Sequence, residues 1–318
     1  MITGGLGFIG STLAHRLVEF GSDVLLVDSL IPDYGGNIFN INGIEDRVKV
    51  NIADIRDSYG MNYLVRGQDI IFNLAGTLSH IDSMRDPFTD LQVNCVSQLS
   101  ILDACLKNNL DVKILFAGTR GQYGKALYLP VDENHPLIPT DVNGINNTAG
   151  EAYHILYHKI YGLRAVSLRL TNTYGQRHMM KHSKQGFLNW FIRLAIDDQD
   201  ITIYEPGAQK RDFNYVDDVV EAMLLAAASD KADGEIFNLG SGIPVSVKEI
   251  AEMIVKIAGT GRVKCIPYPK EIKAIEIGDY YADFSKITKA LFWKPKVSLE
   301  EGLNRTIEYY RKYKKYYW

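Results

Sequence analysis

The first ten residues, Met1-Ile2-Thr3-Gly4-Gly5-Leu6-Gly7-Phe8-Ile9-Gly10, constrain this chain more than any other stretch. An apolar start runs into a glycine-rich turn, and the turn runs into Ser11–Val18, where Ile9, Leu13, Leu17 and Val18 carry helical apolar spacing. Glycines in such a turn allow a tight bend, close approach of the backbone to a pyrophosphate, and close packing of helix on sheet. The helix N-terminus, at Phe8, Ile9 and Gly10, then offers amide N–H groups to the anion. Two registers fit: Gly5-x-Gly7-x-x-Gly10 and the wider Gly4-x-x-Gly7-x-x-Gly10.

The context this turn requires is a second strand closed by an acid about 20 residues on. Val24-Leu25-Leu26-Val27 followed by Asp28 supplies it. An acid there bonds ribose hydroxyls and repels a 2′-phosphate, which favours NAD over NADP. Only Met1 and Ile2 precede Thr3, whereas an ordinary strand has about 5–6 residues. The expectation is either a stunted central strand or a chain lacking a few native N-terminal residues.

Beyond Asp28, strands and helices alternate. Arg47–Ile52 alternates like a strand, and Asp54-Ile55 at its end can flank an adenine ring, the other reading being a surface loop with a helix cap at Asp57. Asp69–Leu74 is a buried-strand run ending in Ala75-Gly76, small enough for a cofactor to lie against the backbone. Helices are expected near Pro87–Asn108 and Gly144–Tyr161, and strands at Val112–Phe116 and Ala165–Leu170. This order calls for an α/β, doubly wound parallel sheet with ligands at the carboxyl ends of its strands. Gly5, Asp28, Asp54, Ala75, Thr119 and Asn172 all fall along that edge. After Thr173 the pattern loosens into a smaller mixed α/β lobe, with helices at Gln185–Ile196, Asp217–Ala228, Val247–Ile257 and Leu299–Tyr310. The division expected is 1–171 plus about 211–240 for the cofactor domain, and about 172–210 with 241–318 for the substrate lobe.

Composition sets the remaining bounds. A net charge of −3 over 318 residues gives no field for nucleic acid or membrane. No run is long and apolar enough to span a bilayer, and no signal-peptide pattern is present. Cys95, Cys105 and Cys265 form neither a disulfide framework nor a metal spacing, which fits a cytoplasmic location. His178 and His182, four apart, have no nearby Cys or acid and read as a loop rather than a metal site. The basic and aromatic tail, Tyr309–Trp318, reads as a helix end packed on the smaller lobe.

Together these pieces resemble the extended short-chain dehydrogenases/reductases, in the group of NAD-dependent nucleotide-sugar epimerases and dehydratases. The matching segments are Thr3–Gly10, Asp28, Ala53-Asp54-Ile55, Asn73-Leu74-Ala75-Gly76, Tyr123-Gly124, Leu168–Gly175, Arg211-Asp212-Phe213, and Phe292–Pro295 with Leu299–Leu303. The resemblance implies a Rossmann domain, with Asp28 on the NAD ribose and Asp54-Ile55 at the adenine. It also implies Thr119 on the reacting sugar hydroxyl, Asn172, Asn189 and Arg211 on a nucleotide diphosphate, and a homodimer built from the two long helices. Leu91, Leu99, Leu102, Leu156 and Ile160 could serve either core or interface.

The resemblance breaks at the catalytic pair. Where the family carries Tyr, three residues, then Lys, this chain carries Asn143 and Asn147. An amide cannot take a proton from a hydroxyl, although Asn147 can still bond a ribose. Where the family often carries a diphosphate-binding Arg, the chain has Glu276, with Lys273 as a nearby cation. Candidates for the missing acid/base are His80, Tyr123 and Tyr174, with Tyr174 better suited to packing and His80 also readable as a solvated loop histidine. The main reading is an NAD-dependent nucleotide-sugar enzyme with an altered acid/base site. The alternative is a non-catalytic or regulatory relative that keeps both ligands.

Overall fold

A computed structural model describes residues 1–268 and 276–318. Lys273 lies outside the described residues. Seven parallel strands form one sheet: β1 (Ile2–Thr3), β2 (Val24–Asp28), β3 (Val48–Ile52), β4 (Ile70–Asn73), β5 (Lys113–Thr119), β6 (Arg164–Leu170) and β7 (Ile236–Asn238). Their order across the sheet is β7-β6-β5-β4-β1-β2-β3. The winding reverses between β1 and β4, and this switch point opens the crevice in which such folds bind ligands. β1 is two residues long, yet Ile2 pairs with both Leu26 and Phe72.

The sheet is buried on both faces, so its strands read as continuous apolar runs. Helix α1 (Phe8–Glu19) covers one face together with Val216–Ala228; Leu13, Ala14 and Val18 pack with Val219, Val220 and Met223. The other face carries α2 (Ser58–Leu64), which Asp57 caps by accepting from the Tyr59 N–H. It also carries two longer elements. The helix expected at Pro87–Asn108 is interrupted: Pro87–Leu91 and Ser97–Asn108 are joined by a π-turn at Gln92–Val96. A π-turn places one extra residue in a helical turn and re-aims its side chains. The second element is Val142–Tyr161, capped by Asp141 and ended by Gly162 in the left-handed conformation. It sits so close to the π-turn that a Cβ on Gly150 would lie 3.0 Å from the Asn94 carbonyl oxygen.

A second apolar cluster forms the lobe, from Phe187–Ile196, Val247–Ala258 and Leu299–Tyr313. The C-terminal aromatics pack there: Tyr310 and Tyr317 are buried, and Phe39 stacks on Tyr316 at 3.6 Å. Tyr215 occupies the N-cap position before Val216, and Asp217 is a first-turn acid. Ile287, Leu291 and Trp293 join the sheet-side cluster, and the Trp293 indole donates to the Asp218 carbonyl.

Two histidines fully enclosed in this packing are held neutral. Burial pushes His154 and His178 down to about 4. An unfolded histidine titrates near 6.5. Their stabilising contribution is therefore complete above about pH 6.5 and lost as pH falls through about 4, on the order of 3 kcal/mol each. Thermal unfolding followed by circular dichroism should show the melting temperature falling over this window, with a shallower slope in His154→Gln.

Candidate functional site

One cavity of about 830 Å³ runs along the carboxyl ends of the strands. Its first wall is the glycine turn. Gly4 (φ +64°), Gly7 and Gly10 face the cavity with Phe8 and Ile9, while Gly5 faces inward against Leu26, where a Cβ would stand 2.8 Å from that side chain. The wider register is thus the one presented to a ligand. A Cβ on Gly10 would overlap the Gly4 carbonyl oxygen. Gly7 has no side chain to cap α1, so the first-turn amides remain open to an anion.

Asp28 stands at the end of β2. Its carboxylate accepts from the Leu6 N–H at 3.1 Å and the Leu30 N–H at 2.9 Å, and burial raises it above the ordinary carboxylate value. Asp54 and Ile55 line the same end, with Asp54 held by Arg56 at 2.5 Å. Leu74, Ala75 and Gly76 form the floor. Buried Thr3 fixes them: its hydroxyl accepts from the Leu74 and Ala75 N–H groups and donates to Asn73. Only a glycine fits at position 76 without displacing a neighbour, because a Cβ would stand 2.8 Å from Asn94 Oδ1.

Behind the wall formed by Thr77, Asn94 and Asn143 at the middle of the cavity lies a buried polar cluster centred on Asp90. Its Oδ2 accepts from the Thr77 hydroxyl at 2.7 Å and Asn143 Nδ2 at 3.0 Å, and its Oδ1 accepts from Asn146 Nδ2 at 2.8 Å. Asn94, on the π-turn, closes the ring by accepting from the Thr77 N–H and donating to its hydroxyl. Asn143 is 3% exposed and donates a second bond to the Thr77 carbonyl. Asn147 donates to the Asn143 carbonyl at 2.9 Å and borders the cavity.

Beside this cluster stand Thr119 and His80. Thr119 ends β5, and its Oγ1 accepts from the Gly121 N–H at 3.2 Å. His80 begins the short helix α3 (His80–Arg85), and its Nδ1 lies 2.7 Å from Asp141 Oδ2. It is not a free loop histidine. The Asp141 Oδ1 caps the Val142–Tyr161 helix through the Gly144 N–H at 2.8 Å. Burial opposes ionisation of Asp141, but the hydrogen bond from His80 holds it below the ordinary carboxylate value.

The two tyrosine candidates are otherwise engaged. Tyr123 is fully buried, its hydroxyl bonded to Asn238 and Arg169, and burial pushes it up to about 12. Tyr174 is buried under the lobe, with its hydroxyl on the Leu299 carbonyl. At the far end, Asn172 lines the cavity and donates to the Asp212 carbonyl, and buried Asn189 accepts from the Gly175 N–H. Arg211 lines it too, but its guanidinium is paired with Glu276 at 2.6 Å, and Glu276 also accepts from the Tyr268 hydroxyl. Arg120 was not foreseen from the sequence. It lines the cavity over the Tyr280 ring, has no ion pair among the described residues, and is lowered to about 10 by burial and by the nearby Arg211. His178 meets backbone carbonyls of Met179 and Gln185, and no cluster of metal-ligating side chains occurs among the described residues.

A family model described as GDP-mannose 4,6 dehydratase matches residues 1–306. A putative UDP-glucose 4-epimerase of Methanocaldococcus jannaschii is 34% identical over 310 residues, 97% of each chain. Among solved structures, UDP-glucose 4-epimerase of Thermotoga maritima with UDP-glucose superposes with a TM-score of 0.88 at 32% identity, covering 98% of both chains. UDP-glucose 4-epimerase of Thermus thermophilus in complex with NAD gives 0.87 at 29%, again over 98% of both.

The Asp90 cluster makes Asn143 a structural residue with a measurable cost of removal. Asn143→Ala leaves a buried carboxylate short of one donor, which costs about 1–3 kcal/mol. Urea unfolding should show that loss, whereas Asn147→Ala, at the cavity margin, should change stability by less than about 1 kcal/mol.

Proposed function

The chain belongs to the family of NAD-dependent nucleotide-sugar epimerases and dehydratases, and from that premise we propose that it oxidises a nucleotide-diphosphate sugar by hydride transfer without tyrosine acid/base chemistry. The observation that carries this reading is the single cavity joining the glycine turn and Asp28 to Thr119, Asn172 and Arg211. The cofactor is NAD, which supplies the hydride acceptor when bound. The residues present fit it. The absence of side chains at Gly4, Gly7, Gly10 and Gly76 leaves the cradle, the first-turn amides of α1 take the pyrophosphate, and Asp28 takes the adenosine ribose.

The replacement of the family's Tyr and Lys by Asn143 and Asn147 is part of the same proposal. Asn143 spends both amide hydrogens inside the Asp90 cluster, so it orders the cavity wall and moves no proton. Asn147 keeps its carbonyl oxygen for a ribose hydroxyl but brings no positive charge. Thr119 orients the reacting hydroxyl. For the diphosphate, Arg120 supplies a guanidinium with no ion pair among the described residues, whereas Arg211 is tied to Glu276. A partly desolvated cation without a partner is costly, and a phosphate oxygen relieves that cost.

The pairing of chains is proposed on the outer face of the two long helices. Phe88, Ile145, Leu156 and Ile160 are 77%, 54%, 49% and 65% exposed, whereas Leu102 is fully buried and serves the core. A second copy of the chain would cover that strip. Cys95 and Cys105 are buried and free and Cys265 is exposed and free, which supports a reducing compartment such as the cytoplasm.

Incubation with NAD and a panel of nucleotide sugars, led by UDP-glucose, should give sugar conversion by NMR or a stoichiometric rise at 340 nm with at least one member. Silence across the panel with both ligands bound in calorimetry would sink the enzyme reading. With the active sugar, Arg120→Gln should raise KM about 10- to 100-fold, since a charge-assisted bond is worth about 1.5–3 kcal/mol, and leave NAD affinity unchanged. Light scattering should report a dimer for the native chain and a monomer for the double variant Leu156→Glu, Ile160→Glu.

A further inference from the structure

We propose that His80, oriented by Asp141, is the acid/base that exchanges a proton with the sugar hydroxyl seated on Thr119. The proposal rests on the hydride-transfer reading above. Three elements converge to build it: the N-terminus of α3 brings His80, the end of β5 brings Thr119, and the cap of the Val142–Tyr161 helix brings Asp141. Nδ1 of His80 faces the Asp141 carboxylate at 2.7 Å. A carboxylate only accepts, so Nδ1 carries a proton, and in the neutral ring Nε2 is the nitrogen with a bare lone pair. That is the tautomer a general base requires, and the carboxylate also stabilises the imidazolium formed when the base is loaded.

His80, Thr119 and Gly121 line the same cavity. A Cβ on Gly121 would stand 3.2 Å from His80 Cε1 and 3.6 Å from Thr119 Oγ1 and would crowd the imidazole. The Thr119 oxygen already accepts from the Gly121 N–H, so its own hydrogen is available to the sugar oxygen. The other phenols near the strand ends are buried and bonded, as Tyr123 and Tyr174 are, and Asn143 does not titrate.

In the forward step, Nε2 takes the hydroxyl proton and the O–H bond breaks. The carbon–oxygen bond becomes a carbonyl, and the hydrogen on that carbon leaves with its electron pair to oxidised NAD. The reverse step returns the hydride to the carbon and the proton from imidazolium to oxygen, so protons and electrons balance over the cycle. His80 is the catalytic residue and Asp141 a positioning residue.

Two measurements test this. In wild-type protein labelled with ¹⁵N at histidine, with the His80 signal assigned by its loss in His80→Gln, the ring should carry its proton on Nδ1. Asp141→Asn, which keeps the helix cap and should keep the melting temperature, should shift that tautomer balance. An Nε2-protonated ring in the wild type overturns the proposal whether or not any sugar is turned over. With the active sugar, His80→Gln and His80→Ala should lower kcat about 10²- to 10⁴-fold with NAD and sugar affinities within about threefold, and imidazole should restore part of the His80→Ala rate. Gly121→Ala should lower kcat while sparing NAD binding. A His80→Gln enzyme within threefold of wild type would leave the nucleotide-sugar reading standing and remove the dyad.

Discussion

Where α1 leaves the sheet there is no room for a β-carbon at Gly10, because it would overlap the Gly4 carbonyl oxygen. This close approach fixes the helix N-terminus against the end of a two-residue strand. The short strand tolerates it because Thr3 replaces the missing length. Its hydroxyl takes two amides at the end of β4 and its backbone pairs with Val27 and Asn73. With β1 clamped between β2 and β4, the switch point opens at one place, and Asp28, Ala75 and Gly76 are brought to its rim. The cofactor end of the cavity follows from sterics and backbone geometry more than from any charged side chain.

The middle of the cavity follows a different logic. A carboxylate buried as deeply as Asp90, 2% exposed, is tolerated only when its lone pairs are filled. Thr77, Asn143 and Asn146 fill them. The π-turn at Gln92–Val96 exists in the same service, since it aims Asn94 at Thr77. Asn143 is therefore held by a requirement of folding, and its amide cannot be borrowed for chemistry without stranding Asp90. This is why the proposed proton transfer is assigned to a group outside the cluster, His80, which borders the cavity with Thr119.

The fold was legible because its signals are local. The glycine spacing, the apolar runs and the acid after Val27 each specify their element without reference to distant residues, and the strands, the helices and the cavity edge follow from them. The site was legible only in part. The sequence could not choose between the two glycine registers, because that choice depends on Leu26 standing behind Gly5. It could not separate Leu102, which is buried, from Leu156 on the other long helix, which is exposed, because each fits the apolar spacing of its own helix. It marked His80 as a candidate but not Asp141, which lies 61 residues away and reads locally as a helix cap. The resemblance puts Arg211 on a diphosphate, and its pairing with Glu276, 65 residues away, has no local signal. In each case the missing information was a tertiary contact between residues with no local pattern of their own.

The charges along the cavity are arranged to give its two ends different affinities. Asp28 places a negative group at the glycine-turn end, suited to hydroxyls and hostile to an additional phosphate. At the opposite end Arg211 is neutralised by Glu276, and Arg120 faces the cavity with no ion pair among the described residues. Burial and the neighbouring Arg211 already disfavour its charged form, which lowers it to about 10. At neutral pH the guanidinium still carries its proton, so the cavity holds a partly desolvated cation whose most favourable partner is a dianionic diphosphate. An anion arriving there relieves a cost the fold has already incurred. On the proposed reading, a sugar held between that anion and the nicotinamide would lie over Thr119 and His80, so binding energy gained far from the reacting carbon would be turned into orientation at it.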